Sequence, residues 1–367
     1  MGVFKNLGIF RWVWLIIHTC FAMLLFGSYI SPFFTPFEYW YVAFLGIIHV
    51  ILLTINLFFT FSWLFLRPIL AIPFLLIILL GATLHQRSFP LHFSHDKTGK
   101  DAIKIMSWNV QLFKLYNWTQ NKQLRDEMIE FISKENPDIL CLQEYFQASG
   151  DYFETTEILK VKLVSKNIHF SSGATNREGH EFGIATFTRF PIIKKGTIRF
   201  DEESNKTNLA QYTDILWNND TIRIYNIHLA SNHLNTNEVN EIMEAGEKSW
   251  KLTRKWISKL RNGYKHRQNQ IIQVREHMDQ SPHPLIVCGD LNDVPVSYTY
   301  KVISRGLEDA FVNSGSGLGA TYNGRLPYLR IDYIFHDNSF RSTAFHVIYK
   351  PFTDHFPVSS WLEQLNP

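Results

Sequence analysis

Hydrophobic positions in this chain follow two regimes. Up to about Leu84 they form long unbroken runs: Ile9 to Ile30, Tyr39 to Phe61 and Leu64 to Leu84. Each run is long enough to cross a hydrocarbon layer of about 30 Å at about 1.5 Å per residue, which predicts three transmembrane helices over about 9–30, 39–61 and 64–84. Their charges are confined to the starts of the first and third runs, at Arg11 and Arg67. A cleaved signal peptide fits poorly, because no small-residue cleavage site follows the first run and two more runs succeed it. Pro32 and Pro36 punctuate the first connection, Pro68 and Pro73 kink the third run or shift its start, and Tyr29, Tyr39, Trp40, Tyr41 and Trp63 stand where interfacial aromatics belong. Lys5 and Arg11 lie at one end of the first run and Arg67 follows the second, while 31–38 holds no Lys or Arg. The positive-inside tendency therefore puts the N-terminus in the cytoplasm and, after three crossings, the remainder outside. Were the second and third runs one re-entrant unit, the remainder would fall on the other side. His18, His49 and Asn56 within the runs read first as helix–helix hydrogen-bonding groups, with a functional role as the alternative.

Beyond His85 the runs shorten and polar residues interleave. Residues 1–86 thus read as an all-α transmembrane region, 87–101 as a polar linker and 102–367 as one domain with a large core. Strands are predicted over Ile103–Val110, Asp138–Glu144, Ile168–Phe170, Gly183–Thr188, Ile192–Phe200, Thr207–Trp217, Thr221–Leu229, Leu285–Cys288, Arg330–Phe335 and Ala344–Tyr349. Helical spacing appears over Thr119–Asn136, Phe153–Val164, most of Asn237–Met278 and from Ser297. Many short strands with interleaved helices predict an α+β domain: a two-sheet β-sandwich flanked by helices.

Composition adds little. A net charge of +3 on 367 residues is too small to imply a nucleic-acid partner. Three cysteines, Cys20, Cys141 and Cys288, offer neither a metal-ligand spacing nor a disulfide framework.

The strand ends carry the chemistry. Leu285-Ile-Val-Cys288 is a short apolar run suited to a buried strand, and it stops at Gly289 before presenting Asp290, Asn292 and Asp293. An Asx-rich turn would look the same. Four other strand ends, however, bear similar groups, so the set comprises Asn109, Glu144, His228, Asp290, Asn292, Asp332, Asp354 and His355. Each alone has a plain structural explanation: a capping Asn, a satisfied core His, a buried acid bonded to backbone donors. Together they are an oxygen-rich set with two imidazoles and no cysteine. Such a set suits Mg2+ or Mn2+, which leave room for phosphate oxygens, with the histidines moving protons or donating to the phosphate.

Ser107-Trp-Asn-Val110, Leu142-Gln-Glu144, Tyr225-Asn-Ile-His-Leu229, Gly289-Asp-Leu-Asn292, Ile331-Asp-Tyr333 and Thr353-Asp-His355 occur in the order found in the endonuclease/exonuclease/phosphatase superfamily, which the chain resembles over essentially the whole of 102–367. These are DNase I-like, metal-dependent phosphodiesterases that include nucleases, neutral sphingomyelinases and inositol-phosphate phosphatases. The resemblance implies that Asn109 and Glu144 stand on the metal side, with Glu144 the principal ligand and Asp354 helping to hold metal or water. It implies that Asp290 and Asn292 position the attacking water and scissile phosphate, that Asp332 orients His355, and that His228 contacts the phosphate. Gln111 and His228 differ from what DNA-repair members carry at the matching places, which leans toward the DNase I or sphingomyelinase branch.

Lys248, Lys251, Arg254, Lys255, Lys259, Arg261, Lys265 and Arg267 share an acid-free run of 20 residues. At about 100° per residue most fall opposite Trp250, Leu252, Trp256, Ile257 and Leu260, so the run is a helix with a solvated basic face or, through Lys251, Arg254, Lys255 and Lys259, a surface for headgroups or phosphate. The expectation is a membrane-anchored, metal-dependent phosphodiesterase or phosphatase acting on a phosphoester such as a lipid headgroup, with the bilayer as partner and no obligate protein partner. A tethered nuclease and a non-catalytic scaffold are the alternatives.

Overall fold

The computed structural model describes residues 8–92, 99, 101–115, 122–148, 153–163, 167–200, 207–231, 249–324, 326 and 328–365, with backbone alone for 249–252 and 256.

The apolar runs become α1 (Ile9–Ile30), a 3-10 turn Ser31–Phe33, α2 (Pro36–Ile47), α3 (His49–Leu66), a second 3-10 turn Pro68–Leu70, α4 (Ala71–Leu80) and α5 (Ala82–Ser88). Trp14 Nε1 near the start of α1 donates to Ser62 Oγ near the end of α3 at 2.8 Å. At the other end, Ser28 Oγ is hydrogen-bonded to His49 Nδ1 at 2.8 Å and Tyr29 OH to His85 Nε2 at 3.2 Å. His49 Nε2 in turn meets His85 Nδ1 at 3.2 Å. The passes α1, α3 and α4–α5 therefore alternate in direction, and Ser28, Tyr29, His49 and His85 bond one another across them.

Two predicted spans need correction. The run 39–61 is not one helix: it breaks at Ile48 (φ −90°, ψ 7°), and Tyr39 is already non-helical (φ −119°, ψ 44°). The cause is tertiary, since α2 is claimed by the C-terminal domain. The Phe37 N–H donates to Gln268 Oε1 at 2.7 Å, and a Cβ at Gly46 would lie 2.1 Å from the Val296 carbonyl oxygen. The run 64–84 is interrupted at Arg67, whose extended backbone (φ −169°, ψ 92°) precedes Pro68, and the helices that follow are bent by 62°. Among the described residues, two helices are long and apolar enough to cross a membrane, or three if the bent pair counts as one.

The domain after them is two mixed sheets. The first contains β1 (Ile103–Asn109), β2 (Ile139–Gln147), β3 (Asn167–Thr175), β4 (Glu181–Thr188), β11 (Phe340–Val347) and β12 (Val358–Gln364), in the order β11-β12-β1-β2-β4-β3. The second contains β5 (Ile192–Arg199), β6 (Leu209–Trp217), β7 (Asp220–His228), β8 (Leu285–Asp290), β9 (Glu308–Asp309) and β10 (Asp332–His336), in the order β5-β6-β7-β8-β10-β9. Helices α6 (Lys122–Glu135) and α7 (Thr155–Lys162) cover the first sheet. The second is covered by α8 (Ser249–Asp279) and α9 (Tyr298–Ile303), and α10 (Ala310–Ser314) follows β9. The expected two-sheet sandwich flanked by helices is the architecture found. The predicted beginning of the long helix, 237–248, lies outside the described residues. The chain closes on three strands rather than the expected two, β12 being the addition.

Alternation sorts the strands between layers. Met106, Trp108, Leu140 and Leu142 pack with Met128, Ile129 and Ile132 of α6. Tyr225, Ile227, Leu285, Val287, Tyr333 and Phe335 pack with Ile271, Val274 and Met278 of α8. Ile103, Ile105, Ile139, Cys141, Ile222, Ile224, Ile286, Cys288 and Ile334 meet between the sheets. Burying each such side chain contributes about 1.5–3 kcal/mol.

Candidate active site

Followed along the strands, the face between the sheets changes from apolar to amide to ionisable. Past Ile224 and Cys141 come Asn226 and Gln143, whose side chains bond across the gap, Gln143 Nε2 donating to Asn226 Oδ1 at 2.7 Å. Asn226 Nδ2 also donates to Ala185 O at 3.0 Å, and Gln211 Nε2 to Thr186 Oγ1 at 2.7 Å. One alternation further stand the strand-end groups.

Register brings the second sheet's residues into one row. His228 pairs with Asp290 on the parallel neighbour, and Asp290 with Asp332 on the antiparallel one. Gly289 makes this close approach feasible: its φ is 151°, and a Cβ there would lie 2.1 Å from the Ile227 carbonyl oxygen.

The first sheet contributes Asn109 and Glu144. By strict alternation Glu144 would join Leu140 and Leu142 against α6. Instead the pairing of β2 with β4 shifts between Leu142 and Tyr145, Glu144 takes φ 46°, and both Tyr145 and Phe146 then face the helix-side core. This bulge turns the carboxylate to Asn109, whose Nδ2 lies 3.2 Å from Glu144 Oε1 and 3.1 Å from Asp290 Oδ2. One amide thus joins the two sheets.

Asn292, also left-handed (φ 51°), donates its N–H to Asp290 Oδ1 at 2.8 Å and its amide to Asp290 Oδ2 at 3.2 Å. His355 Nδ1 lies 3.1 and 3.0 Å from the two oxygens of Asp332, with its Nε2 3.7 Å from Asp290 Oδ2. His228 Nε2 is 3.8 Å from Glu144 Oε1 and 3.9 Å from Asp290 Oδ2. Asp354 is half-buried beside them, its N–H 3.4 Å from Gln111 Oε1. All eight strand-end residues singled out in the sequence therefore converge. The four basic residues stand elsewhere, on the first half of α8: Arg254 and Lys255 are exposed, Lys259 is half-buried, and the Lys251 side chain lies outside the described set.

Four supporting residues were not among the site candidates. Thr321 Oγ1 accepts the N–H groups of Ile331 and Asp332 at 3.0 and 3.1 Å. Thr353 Oγ1 donates to Asn109 O at 3.1 Å, and Trp108 Nε1 to His355 O at 3.0 Å. The Tyr322 ring stands 5.8 Å from that of His355. Trp108 and Thr353 flank residues already noted. Thr321 and Tyr322 precede β10 in a loop with no pattern.

The electrostatics are those of a dry, acidic pocket. Burial pushes the Asp290 carboxyl up to about 6, Asp332 adding to the effect while His355, His228 and the Asn109 hydrogen bond oppose it. Burial also raises Asp354, with Glu144 adding and His355 and Lys114 opposing. For His355, burial alone would lower the imidazole, but Asp332 and Asp290 outweigh it and hold it well above its usual value.

Asp290, Asp332 and His355 present atoms within 4.8 Å of one another, a grouping that could hold a metal ion. In this structure Asp332 and His355 already satisfy each other. Glu144, which faces Asn109 and adds its charge to that of Asp354, offers the better oxygen-only set for a hard divalent cation.

Comparison with known proteins agrees with this geometry. The profile of the Endonuclease/Exonuclease/phosphatase family matches residues 106–355, and a Domain of unknown function (DUF8431) matches residues 10–88. No curated protein matches. Among solved structures, an endonuclease/exonuclease/phosphatase from Beutenbergia cavernae DSM 12333 shares the fold with a TM-score of 0.52 at 16% identity, covering 72% of this chain and 72% of that one. A family protein from Leptotrichia buccalis C-1013-b gives 0.51 at 19%, covering 71% of this chain and 100% of that one. The human Nocturnin catalytic domain with bound sulfate anion gives 0.50 at 19%, covering 73% and 97%.

Proposed function

Because the chain belongs to the endonuclease/exonuclease/phosphatase family, whose members are divalent-metal-dependent hydrolases acting on phosphoesters, we propose that it is a Mg2+- or Mn2+-dependent phosphoester hydrolase carried on a membrane by its helical region. The observation that carries this reading is the convergence of Asn109, Glu144, His228, Asp290, Asn292, Asp332, Asp354 and His355 from both sheets onto one pocket.

Glu144, with Asn109 and Asp354, would hold the cation. A cation held there would neutralise charge on the scissile phosphate and favour ionisation of water beside it. The remaining work belongs to the chain. Asp290, with its raised carboxyl and its Oδ2 fixed by Asn109 and Asn292, takes the proton of the attacking water. His355 acts as an imidazolium whose Nδ1–H is held by Asp332, leaving Nε2–H to donate to a phosphate oxygen as charge develops there. His228, opposite Glu144 and Asp290, supplies the second donor to the phosphate.

The membrane part of the reading rests on α1 and α3, with α4–α5 as a bent third pass. Since the passes alternate in direction, three crossings put the two-sheet domain on the side opposite Ile9, which favours the extracytoplasmic placement.

Full-length protein, assayed with bis(p-nitrophenyl) phosphate and plasmid DNA, should lose hydrolysis in EDTA and regain it with Mg2+ or Mn2+. Glu144→Gln should weaken metal binding, so that more Mg2+ is needed for half-maximal activity, while melting like the parent. Full activity in EDTA would sink the mechanism.

A further inference from the structure

The two loops that carry active-site residues also form the wall against which the membrane helices dock. Val294, Pro295 and Val296 begin two residues past Asn292, and Leu318, Tyr328, Leu329 and Arg330 belong to the loop that holds Tyr322 and leads into Asp332. Both sets face Gly46, His49 and Ser88. At Gly46 the fit is backbone to backbone, with no room for a Cβ beside the Val296 carbonyl. Arg330, fully buried two residues before Asp332, donates to Arg87 O at 2.9 Å and to Asp309 Oδ2 at 2.8 Å. Past the end of α5 the chain stays on the domain, Pro90 O accepting the Gly317 N–H at 2.9 Å. The segment expected as a linker thus begins docked.

Beside this seam lies a surface suited to the headgroup layer. Phe33 and Phe37 are 66% and 53% exposed and continue the apolar faces of α1 and α2. The domain places a cation on each: Lys301 Nζ lies 3.9 Å from the Phe33 ring centre and Lys265 Nζ 4.2 Å from that of Phe37. Aromatic rings capped by lysines at the end of a membrane helix match the region of ester carbonyls and phosphates.

We infer that the helical region and the two active-site loops form one docked unit holding the pocket's rim against the headgroup layer, so that the phosphoester it takes is borne by a lipid of that leaflet. The inference rests on the phosphoesterase reading above and names its substrate class. A free tether would let the pocket sample soluble esters in any orientation. A docked rim favours substrate held at fixed depth, because positioning is what the seam fixes.

The test uses full-length chain in proteoliposomes of phosphatidylcholine, phosphatidylethanolamine and phosphatidylglycerol, measuring headgroup or phosphate release in parallel with hydrolysis of soluble bis(p-nitrophenyl) phosphate. Wild type is expected to cleave at least one of the lipids and the soluble ester. Gly46→Val, which forces the seam apart, should lower lipid turnover about tenfold or more while changing soluble-ester turnover by less than about twofold. Should Gly46→Val fail to fold, Lys265→Glu with Lys301→Glu carries the same comparison, by withdrawing the Phe33 and Phe37 surface from the headgroup layer. Wild type that cleaves the soluble ester but none of the three lipids overturns the inference, as does a variant in which both activities fall in proportion or neither falls. Inactivity on both probes overturns the phosphoesterase reading and this inference with it.

Discussion

Replacing Asp332 by Asn keeps the shape of the pocket and removes one charge. The Asp332 N–H bond to Thr321 survives, and an amide oxygen still accepts from His355 Nδ1, so the backbone has no reason to move. What is lost is a charge-assisted hydrogen bond between two buried groups, worth about 1.5–3 kcal/mol. Expressed wholly in the transition state, that is roughly a ten- to hundredfold loss of kcat. His355→Ala removes the donor itself and should cost about 100- to 10,000-fold. If Asp332 acts only through His355, the double variant should be no slower than His355→Ala, and the coupling energy should equal the whole effect of Asp332→Asn. The assay is single-turnover hydrolysis of bis(p-nitrophenyl) phosphate by the two single variants and the double, with melting temperatures alongside. Losses that multiply would show two independent roles. A large fall in melting temperature with unchanged kcat for Asp332→Asn would show a structural acid.

Other perturbations follow from features outside the pocket. A reporter after Pro367 should lie on the opposite side of the membrane from one before Met1, as protease protection would reveal; reporters on the same side would mean an even number of crossings. Arg330→Met should destabilise the chain by about 3–5 kcal/mol in denaturant titration, because it leaves Asp309 buried without its cation. Burial between the sheets lowers His169 to about 4, with Lys195 adding, so the folded state prefers the neutral ring that bonds Thr213. That stability is complete above the unfolded value of about 6.5 and is lost as pH falls toward about 4, by on the order of 3 kcal/mol. His169→Asn should flatten the fall of melting temperature over that window.

The strand ends were legible because an apolar run that stops at Gly-Asp or ends on Glu has few structural uses, and several such ends in one chain reinforce one another. What lay outside the pattern was fixed by distant partners. Glu144 reaches the pocket through a bulge, and alternation read by itself turns it toward α6. Strand β12 escaped notice because buried Ser359 and Ser360 break its apolar face; Ser360 bonds Ser342 and Ala344 of β11, which no local reading supplies. Helix α2 reads as part of a lipid span since its aromatics continue the run. Residues more than two hundred positions later, among them Lys265, Gln268 and Val296, claim it for the domain.

The first sheet is assembled from both ends of the domain: β1 lies between β2 and β12. Its antiparallel partner is therefore made last, and His355 emerges only just before that strand. During synthesis the second sheet can complete itself while the first remains open, with β1 paired on one side alone. The pocket is consequently complete only once the segment from His355 through β12 has been made. A chain stalled before His355 has an unclosed first sheet and lacks the imidazole that Asp332 holds.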